Sequence, residues 1–330
     1  MGIVSVIIPC YNAEHYIDRL CQSLRAQTVG MESLEIIFVN DASTDATLQK
    51  LKRFESEFPE HTIVVDCKKK GNSGAARNIA LEYASGDYIT FVDADDCVHP
   101  SMTEMLVRAI EENDAEISEC GYADFSGNLP GYGSPVFLGT DLLEINTTDE
   151  RRWLLLYMGK RAAPWGRLYR AAFIRKHCLF FPEGLNHCED CYFAQMCAMV
   201  VRRFAMMETP LYYYYHNENG LTFRPESIRS KMDAFYAQQF FWEEVLKRGL
   251  TDDNFEPYRK EIEYLAVSKI LIDPFLLIRK HNMPLEDTPV LSLFQGLRAM
   301  FPTFLQNEYV RSSGQLMQLL KELLEGISKL

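Results

Sequence analysis

Tyr88-Ile89-Thr90-Phe91-Val92-Asp93-Ala94-Asp95-Asp96 decides the fold. A mostly apolar run, Tyr88 to Val92, passes directly into three carboxylates around one alanine. A strand of a parallel sheet is covered on both faces and reads as a continuous apolar run. Ligands of open α/β sheets sit just beyond the carboxyl ends of such strands. Carboxylates gathered there repel one another unless something positive lies between them. Hard oxygen ligands suit Mg²⁺ or Mn²⁺, often held by one or two carboxylates together with substrate phosphates. The stretch therefore predicts a divalent metal holding a phosphorylated substrate.

The same alternation extends outward on both sides. Val4–Ile8, Ile36–Val39 and Ile63–Val65 read as further strands. Residues 13–26 carry Ile17, Leu20, Cys21 and Leu24 at helical spacing. Asp45 or Ser43 caps a helix with Leu48, Leu51 and Phe54 on its apolar face. Gly71-Asn72-Ser73-Gly74 is a turn that opens a helix over 75–84, and Ser101–Glu112 reads as another helix before a strand near Glu116–Cys120. Strands alternating with helices predict βαβ units and a mostly parallel sheet, an α/β fold. Asp124–Pro135 reads as a loop, Asp149 starts a helix, and Arg167–Tyr169 is a short strand. Glu189-Asp190 reads as an acidic turn and Leu211–Tyr215 as a strand. From Glu226 onward no strand signal remains. The last stretch places Leu316, Leu319, Leu320, Leu323, Leu324, Ile327 and Leu330 on one helical face. The expected division is a catalytic domain over 1–225, in halves 1–120 and 121–225, followed by a helical region over 226–330.

Composition narrows the function. With 330 residues and 47% hydrophobic content the chain can bury a core of one large or about two domains. A formal net charge of −12 argues against a nucleic-acid partner, since binding phosphate backbones draws on basic surface. No apolar run approaches the roughly 18 residues that span a bilayer. The N-terminus reads as a strand rather than a signal peptide, and Val6 stands where myristoylation wants Ser or Thr. The nine cysteines are an odd number, and Cys10, Cys21, Cys67, Cys97 and Cys120 read as small core residues of a reduced, cytoplasmic protein. Cys188 and Cys191 form a C-x-x-C beside His187 with no second pair to complete a zinc site.

Four polar segments fall at or near strand ends: Pro9-Cys10-Tyr11-Asn12, Asn40-Asp41-Ala42-Ser43-Thr44-Asp45, Asn72-Ser73-Gly74-Ala75-Ala76-Arg77-Asn78 and Asp93-Ala94-Asp95-Asp96. A doubly wound sheet brings such ends to one crevice. Tyr11 can stack on a base, and Asp41 can accept from a pyrimidine N–H or a ribose hydroxyl. Glycines such as Gly74 let backbone approach phosphate, and Arg77 brings charge to it. A metal held by Asp95 would neutralise the rest of a diphosphate. Together they read as a nucleoside-diphosphate pocket with a metal-assisted leaving group.

In order and spacing these segments resemble the catalytic domain of family 2 glycosyltransferases, across roughly the first 220 residues. The resemblance implies the GT-A fold and transfer of a sugar, with inversion, from a nucleotide donor that is commonly UDP-linked. It implies that Pro9 and Tyr11 line the base site and that Asp41 contacts the nucleoside. Arg77 lies near base or phosphate, Asp93 near the ribose, and Asp95 ligates Mn²⁺ or Mg²⁺. The family has an acidic pair before an aromatic where Glu189-Asp190-Cys191-Tyr192 stands, so Asp190 is the implied general base. Some relatives place a further metal-ligating histidine near His216. Pro164-Trp165-Gly166-Arg167 resembles the family's tryptophan segment, with Gly166 and Arg167 where Asn and Lys are usual. Lys70 sits close enough in sequence to the donor loop to add charge to it.

The expected activity is glycosyl transfer to a glycan or lipid-linked acceptor, in the synthesis of a bacterial surface polysaccharide. The final helix carries Lys321, Glu322, Glu325 and Lys329 on its polar side, so packing onto the catalytic domain or onto a second copy fits better than a membrane-surface role. Peripheral contact at the inner membrane face stays open through lipid-linked acceptors. A nucleotidyltransferase making nucleotide sugars would want a Gly-rich basic loop after the first strand, which Pro9-Cys10-Tyr11-Asn12 lacks. A catalytically inactive nucleotide- or glycan-binding module would not need the full set of carboxylates.

Overall fold

The computed structural model describes residues 2–126, 139–217, 228–249, 256–280, 282–287 and 290–328. The chain forms two compact units: Met1–Asn146, Ala163–Gly184 and Val200–Phe223 in the first, and Thr147–Ala162, Leu185–Met199 and Arg224–Leu330 in the second.

The first unit is built on one nine-stranded sheet. Its strands are β1 (Val4–Cys10), β2 (Leu34–Asn40), β3 (Thr62–Asp66), β4 (Tyr88–Phe91), β5 (Cys97–Val98), β6 (Ile117–Phe125), β7 (Asp141–Glu144), β8 (Arg167–Arg170) and β9 (Arg203–Tyr215). The order is β3-β2-β1-β4-β8-β6-β9-β5, with β7 also paired to β9. Ladders among β3, β2, β1 and β4 are all parallel. The other half is mixed: β8 runs antiparallel to β4 and β6, while β6 and β9 are parallel. The apolar runs explain the parallel half. Val4, Val6, Ile7 and Ile8 of β1, Ile36 to Val39 of β2, and all of β4 are buried, as a sheet covered on both faces requires. Pro9 has no N–H to give a ladder. It falls where β1 has outrun β4, whose pairing ends at Ile7 opposite Phe91.

Helices α1 (Ile17–Arg25), α2 (Thr47–Glu57), α3 (Ser73–Tyr83) and α4 (Met102–Glu112) connect these strands. The predicted face of α1 is buried through Ile17, Leu20, Cys21 and Leu24. In α2 the cap differs from expectation. Ala46 is the N-cap residue; Asp45 reaches past it to accept from Thr47 N at 3.0 Å, and Ser43 instead accepts from Asn12 N.

β9 is longer than the expected Leu211–Tyr215. Its ladder with β6 shifts register on both sides of Gly121, which pairs with Pro210. A side chain at Gly121 would place its Cβ 2.2 Å from the backbone oxygen of Glu208. Only glycine admits this approach. Gly121→Ala should therefore lower stability by about 1–3 kcal/mol, measured as a fall in the urea midpoint with an unchanged slope.

The second unit is helical: α5 (Thr148–Lys160), α7 (Glu189–Val200), α8 (Ile228–Arg248), α9 (Arg259–Ala266), α10 (Asp273–Lys280), α11 (Val290–Met300), α12 (Glu308–Ser312) and α13 (Gly314–Ile327), with α6 (Ala171–Lys176) belonging to the first unit. α5 begins with a capping box between Thr147 and Glu150. A π-helical segment, Val267–Ile272, lies at the centre of this unit, its Val267, Ile270 and Leu271 fully buried. The leucine face of α13 is covered within its own unit, where Leu320 and Leu323 are buried against neighbouring elements that include the π segment. Leu330, and residues 127–135 of the loop read from Asp124, lie outside the described residues. Among the described residues beyond 217 there is no strand, and no helix is long and apolar enough to cross a membrane.

Candidate functional site

The carboxyl ends of β1, β2 and β4 lie side by side, because these strands are consecutive parallel neighbours. Two residues there adopt left-handed backbone, Asn12 at φ 47° and Ala42 at φ 53°. Asn tolerates that region. For Ala42 it costs about 1 kcal/mol or more, a strain of the kind that collects at binding sites. Asn12 also ties the two strand ends together, since its side chain accepts from Thr44 N at 2.8 Å.

Tyr11 is exposed, and the Lys70 ammonium stands 3.7 Å from the centre of its ring. Asp41 is buried and accepts from Gly71 N at 2.6 Å, holding the segment that carries Lys70 against the end of β2. Lys68 pairs with Asp66. Asn72, a donor-contact candidate, also caps α3, its side chain accepting from Ala75 N at 2.8 Å. Gly74 is buried in the first turn of that helix. Arg77 is buried and donates to Asp93 Oδ1 at 2.8 Å, with its guanidinium 5.3 Å from the Phe181 ring centre.

The three carboxylates of the acidic run have separate fates. Asp96 is fully buried and accepts from the Tyr212 hydroxyl at 2.5 Å and from Tyr215 N at 2.8 Å. Burial, then the charges of Asp95 and Asp93, push its carboxyl well above the usual range. Asp93 faces Arg77, and its N–H donates to the Tyr212 hydroxyl oxygen at 3.1 Å. Asp95 accepts from Asn217 Nδ2 at 2.9 Å, while its backbone oxygen accepts from Arg19 at 2.6 Å. Burial raises the Asp95 carboxyl, and the charge of Asp93 adds to the effect.

These residues fit a hard divalent cation. Asp95 and Asp93 are oxygen donors that feel each other's charge, and the desolvation that disfavours ionised Asp95 is what a cation offsets. Among the described residues no three His, Cys, Asp or Glu side chains converge. The described residues would supply part of a coordination sphere, the arrangement usual where substrate phosphates and water complete it. His216 faces Asp124 at 3.3 Å, and Asn217, the next residue, makes the contact with Asp95.

Asp190 belongs to the second unit. It lies in the first turn of α7, where an acidic turn was expected, and its Oδ1 accepts from Cys191 N at 2.7 Å. The chain enters α7 through Cys188 at φ 62°. Two acids in a first turn also favour the positive end of the helix dipole. Of the other segments singled out, Trp165 stacks on Tyr212 at 4.4 Å and on Tyr214 at 5.6 Å. Arg167 is buried against Glu119.

The profile of Glycosyl transferase family 2 matches residues 5–173, a span that holds Tyr11, Asp41, Arg77, Asp93 and Asp95. The chain belongs to glycosyl transferase family 2. EpsH of Bacillus subtilis (strain 168) is 30% identical over 272 residues, covering 80% of this chain and 74% of that protein. TarS of Staphylococcus aureus (strain Mu50 / ATCC 700699), a poly(ribitol-phosphate) β-N-acetylglucosaminyltransferase, is 28% identical over 66% of this chain and 36% of its own length. The crystal structure of S. aureus TarS residues 1–349 with UDP-GlcNAc superposes with a TM-score of 0.58 at 21% identity, covering 92% of each chain. A mannosyltransferase from Pyrobaculum calidifontis, solved with GDP-Man and Mn²⁺, gives a TM-score of 0.54 at 16% identity over 99% of this chain and 86% of its own. The fold of this glycosyltransferase is GT-A.

Arg19, Tyr212 and Asn217, which bond to the acidic run, and Tyr16, which reaches it through Asn217, carried no role in the sequence reading. Tyr212 carried a weak signal, since the alternation of Tyr212 to Tyr215 sends every second ring toward the same face of β9.

Proposed function

We propose that this glycosyltransferase moves a sugar from a UDP-linked donor, with inversion, to a hydroxyl of a glycan or lipid-linked acceptor in bacterial surface polysaccharide synthesis. The observation that carries this reading is the gathering of Tyr11, Asp41, Arg77, Asp93 and Asp95 at neighbouring parallel strand ends and the start of α3. Tyr11 offers its exposed face to the base, with Pro9 beside it. Asp41, fixed by Gly71, accepts from the nucleoside. The ribose lies toward Asp93. Arg77 and the first-turn amides of α3, at Gly74 and behind the Asn72 cap, favour the phosphates. A divalent cation, Mn²⁺ or Mg²⁺, would be held by Asp95 and supply positive charge to the leaving diphosphate. His216 stays a second candidate ligand only if it leaves Asp124.

Asp190 takes the proton of the acceptor hydroxyl as its oxygen bonds to the anomeric carbon, and the bond from that carbon to the diphosphate oxygen breaks. TarS, bound to UDP-GlcNAc, supports the choice of UDP. The net charge and the absence of a long apolar helix among the described residues are compatible with a cytoplasmic enzyme that meets the inner membrane face peripherally. Pairing of two copies through the later helices is a further expectation.

Turnover of a panel of UDP-, GDP- and dTDP-sugars, with Mn²⁺, with Mg²⁺ and with EDTA, tests the reading. Consumption of one UDP-sugar supports it, and no consumption or binding of any nucleotide sugar contradicts it. Within that assay Tyr11→Ala should weaken UDP binding by about 1–3 kcal/mol, the usual worth of one base stacked on an aromatic ring. Equal affinity for wild type and variant would remove Tyr11 from the base site.

A further inference from the structure

Tyr16, Asn217 and Asp95 form one hydrogen-bonded chain. The Tyr16 hydroxyl donates to Asn217 Oδ1 at 3.1 Å, and Asn217 Nδ2 donates to Asp95 Oδ2 at 2.9 Å. An amide oxygen only accepts and an amide nitrogen only donates. The Asp95 carboxylate only accepts and so selects the amide nitrogen, while the Tyr16 hydroxyl, donating to the oxygen on the other side, holds the amide in that orientation. The reversed amide would set two oxygens against each other.

The surroundings hold this chain in place. Tyr16 is the N-cap residue of α1, and Asn217 follows the end of β9 with its N–H donating to Tyr215 O at 2.8 Å. The rings of Tyr16 and Tyr215 lie 5.5 Å apart. Arg19, on α1, donates to the backbone oxygen of Asp95 at 2.6 Å, and its guanidinium covers the Tyr215 ring at 4.0 Å and the Phe125 ring at 4.8 Å. The first helix and the end of the last strand thus grip Asp95 by both backbone and side chain.

We propose that Asn217 is a positioning residue that sets the cation affinity of Asp95, and that Tyr16 acts through it by fixing the amide orientation. The inference rests on the reading of Asp95 as the cation-holding residue. Groups that orient a ligand without binding the ion commonly change metal affinity by about ten- to a hundred-fold. Tyr16→Phe is the informative variant, because it removes the hydroxyl and keeps the ring against Tyr215.

The test is a calorimetric titration of UDP at stepped Mn²⁺ concentrations on wild type, Tyr16→Phe and Asn217→Ala, with turnover measured at saturating Mn²⁺. The expected result is a rise of about tenfold or more in half-saturating Mn²⁺ for both variants, with turnover at saturating Mn²⁺ and melting temperature near wild type. An unchanged Mn²⁺ midpoint in both variants overturns the proposal. So does a loss of turnover at saturating Mn²⁺ with no shift in midpoint, which would place Asn217 in the chemistry. Wild type that binds UDP without regard to Mn²⁺ overturns the reading of Asp95 itself, and the proposal with it.

Discussion

Asp190→Asn is expected to lower sugar transfer by about a hundred- to ten-thousand-fold while leaving UDP affinity unchanged. That is the usual contribution of a positioned general base. The substitution is nearly isosteric and keeps an oxygen that can accept from Cys191 N, the bond Asp190 makes at 2.7 Å. It removes the capacity to take a proton at neutral pH. The structural alternative, that Asp190 only favours the start of α7, makes a different forecast. A surface-type dipole interaction is worth about 0.3–1 kcal/mol of stability and nothing in transfer rate. Initial rates at saturating donor separate the two, and a variant that transfers at the wild-type rate would return Asp190 to the helix.

Glu119→Ala should be the most damaging change to stability, at about 3–5 kcal/mol. Glu119 and Arg167 face each other across the β6–β8 ladder, both almost wholly buried, and the guanidinium donates to the carboxylate at 2.5 Å. Arg167 also donates to the backbone oxygen of Ala163 at 3.0 Å. Burial alone would lower the guanidinium; Glu119 overrides it and holds Arg167 above its usual range. Removing the acid takes from a buried guanidinium the carboxylate it is paired with. Against a typical total of about 5–15 kcal/mol, that loss should be plain in urea unfolding. Loss of less than about 1 kcal/mol would mean that water reaches Arg167.

The parallel half of the sheet was legible because its strands are apolar on both faces. Tyr88 to Phe91 could be little else, and the acids that follow had to lie at its carboxyl end. The mixed half was harder. β9 begins at Arg203, but Glu208-Thr209-Pro210 interrupts its pattern, and the register shift that absorbs them depends on Gly121 in a strand remote in sequence. The acidic run was readable as a site, while its division of labour was not. Nothing local says that Asp96 is taken up by Tyr212 and Tyr215, nor that Asn217 rather than His216 meets Asp95, because both depend on where β9 stops. Asn72 illustrates the opposite case. It stands in the segment read as part of the donor pocket, and the same position also makes it the helix cap.

The central claim is that the ends of β1, β2 and β4 form a cation-assisted pocket for a nucleoside diphosphate. Calorimetric titration of UDP into wild type and Asp95→Ala, each with Mn²⁺ and with EDTA, tests it most directly. The expected result is saturable binding to wild type with Mn²⁺, lost both on adding EDTA and in Asp95→Ala. Binding of equal strength in all four titrations would contradict the role given to Asp95, and no binding in any of them would contradict the pocket.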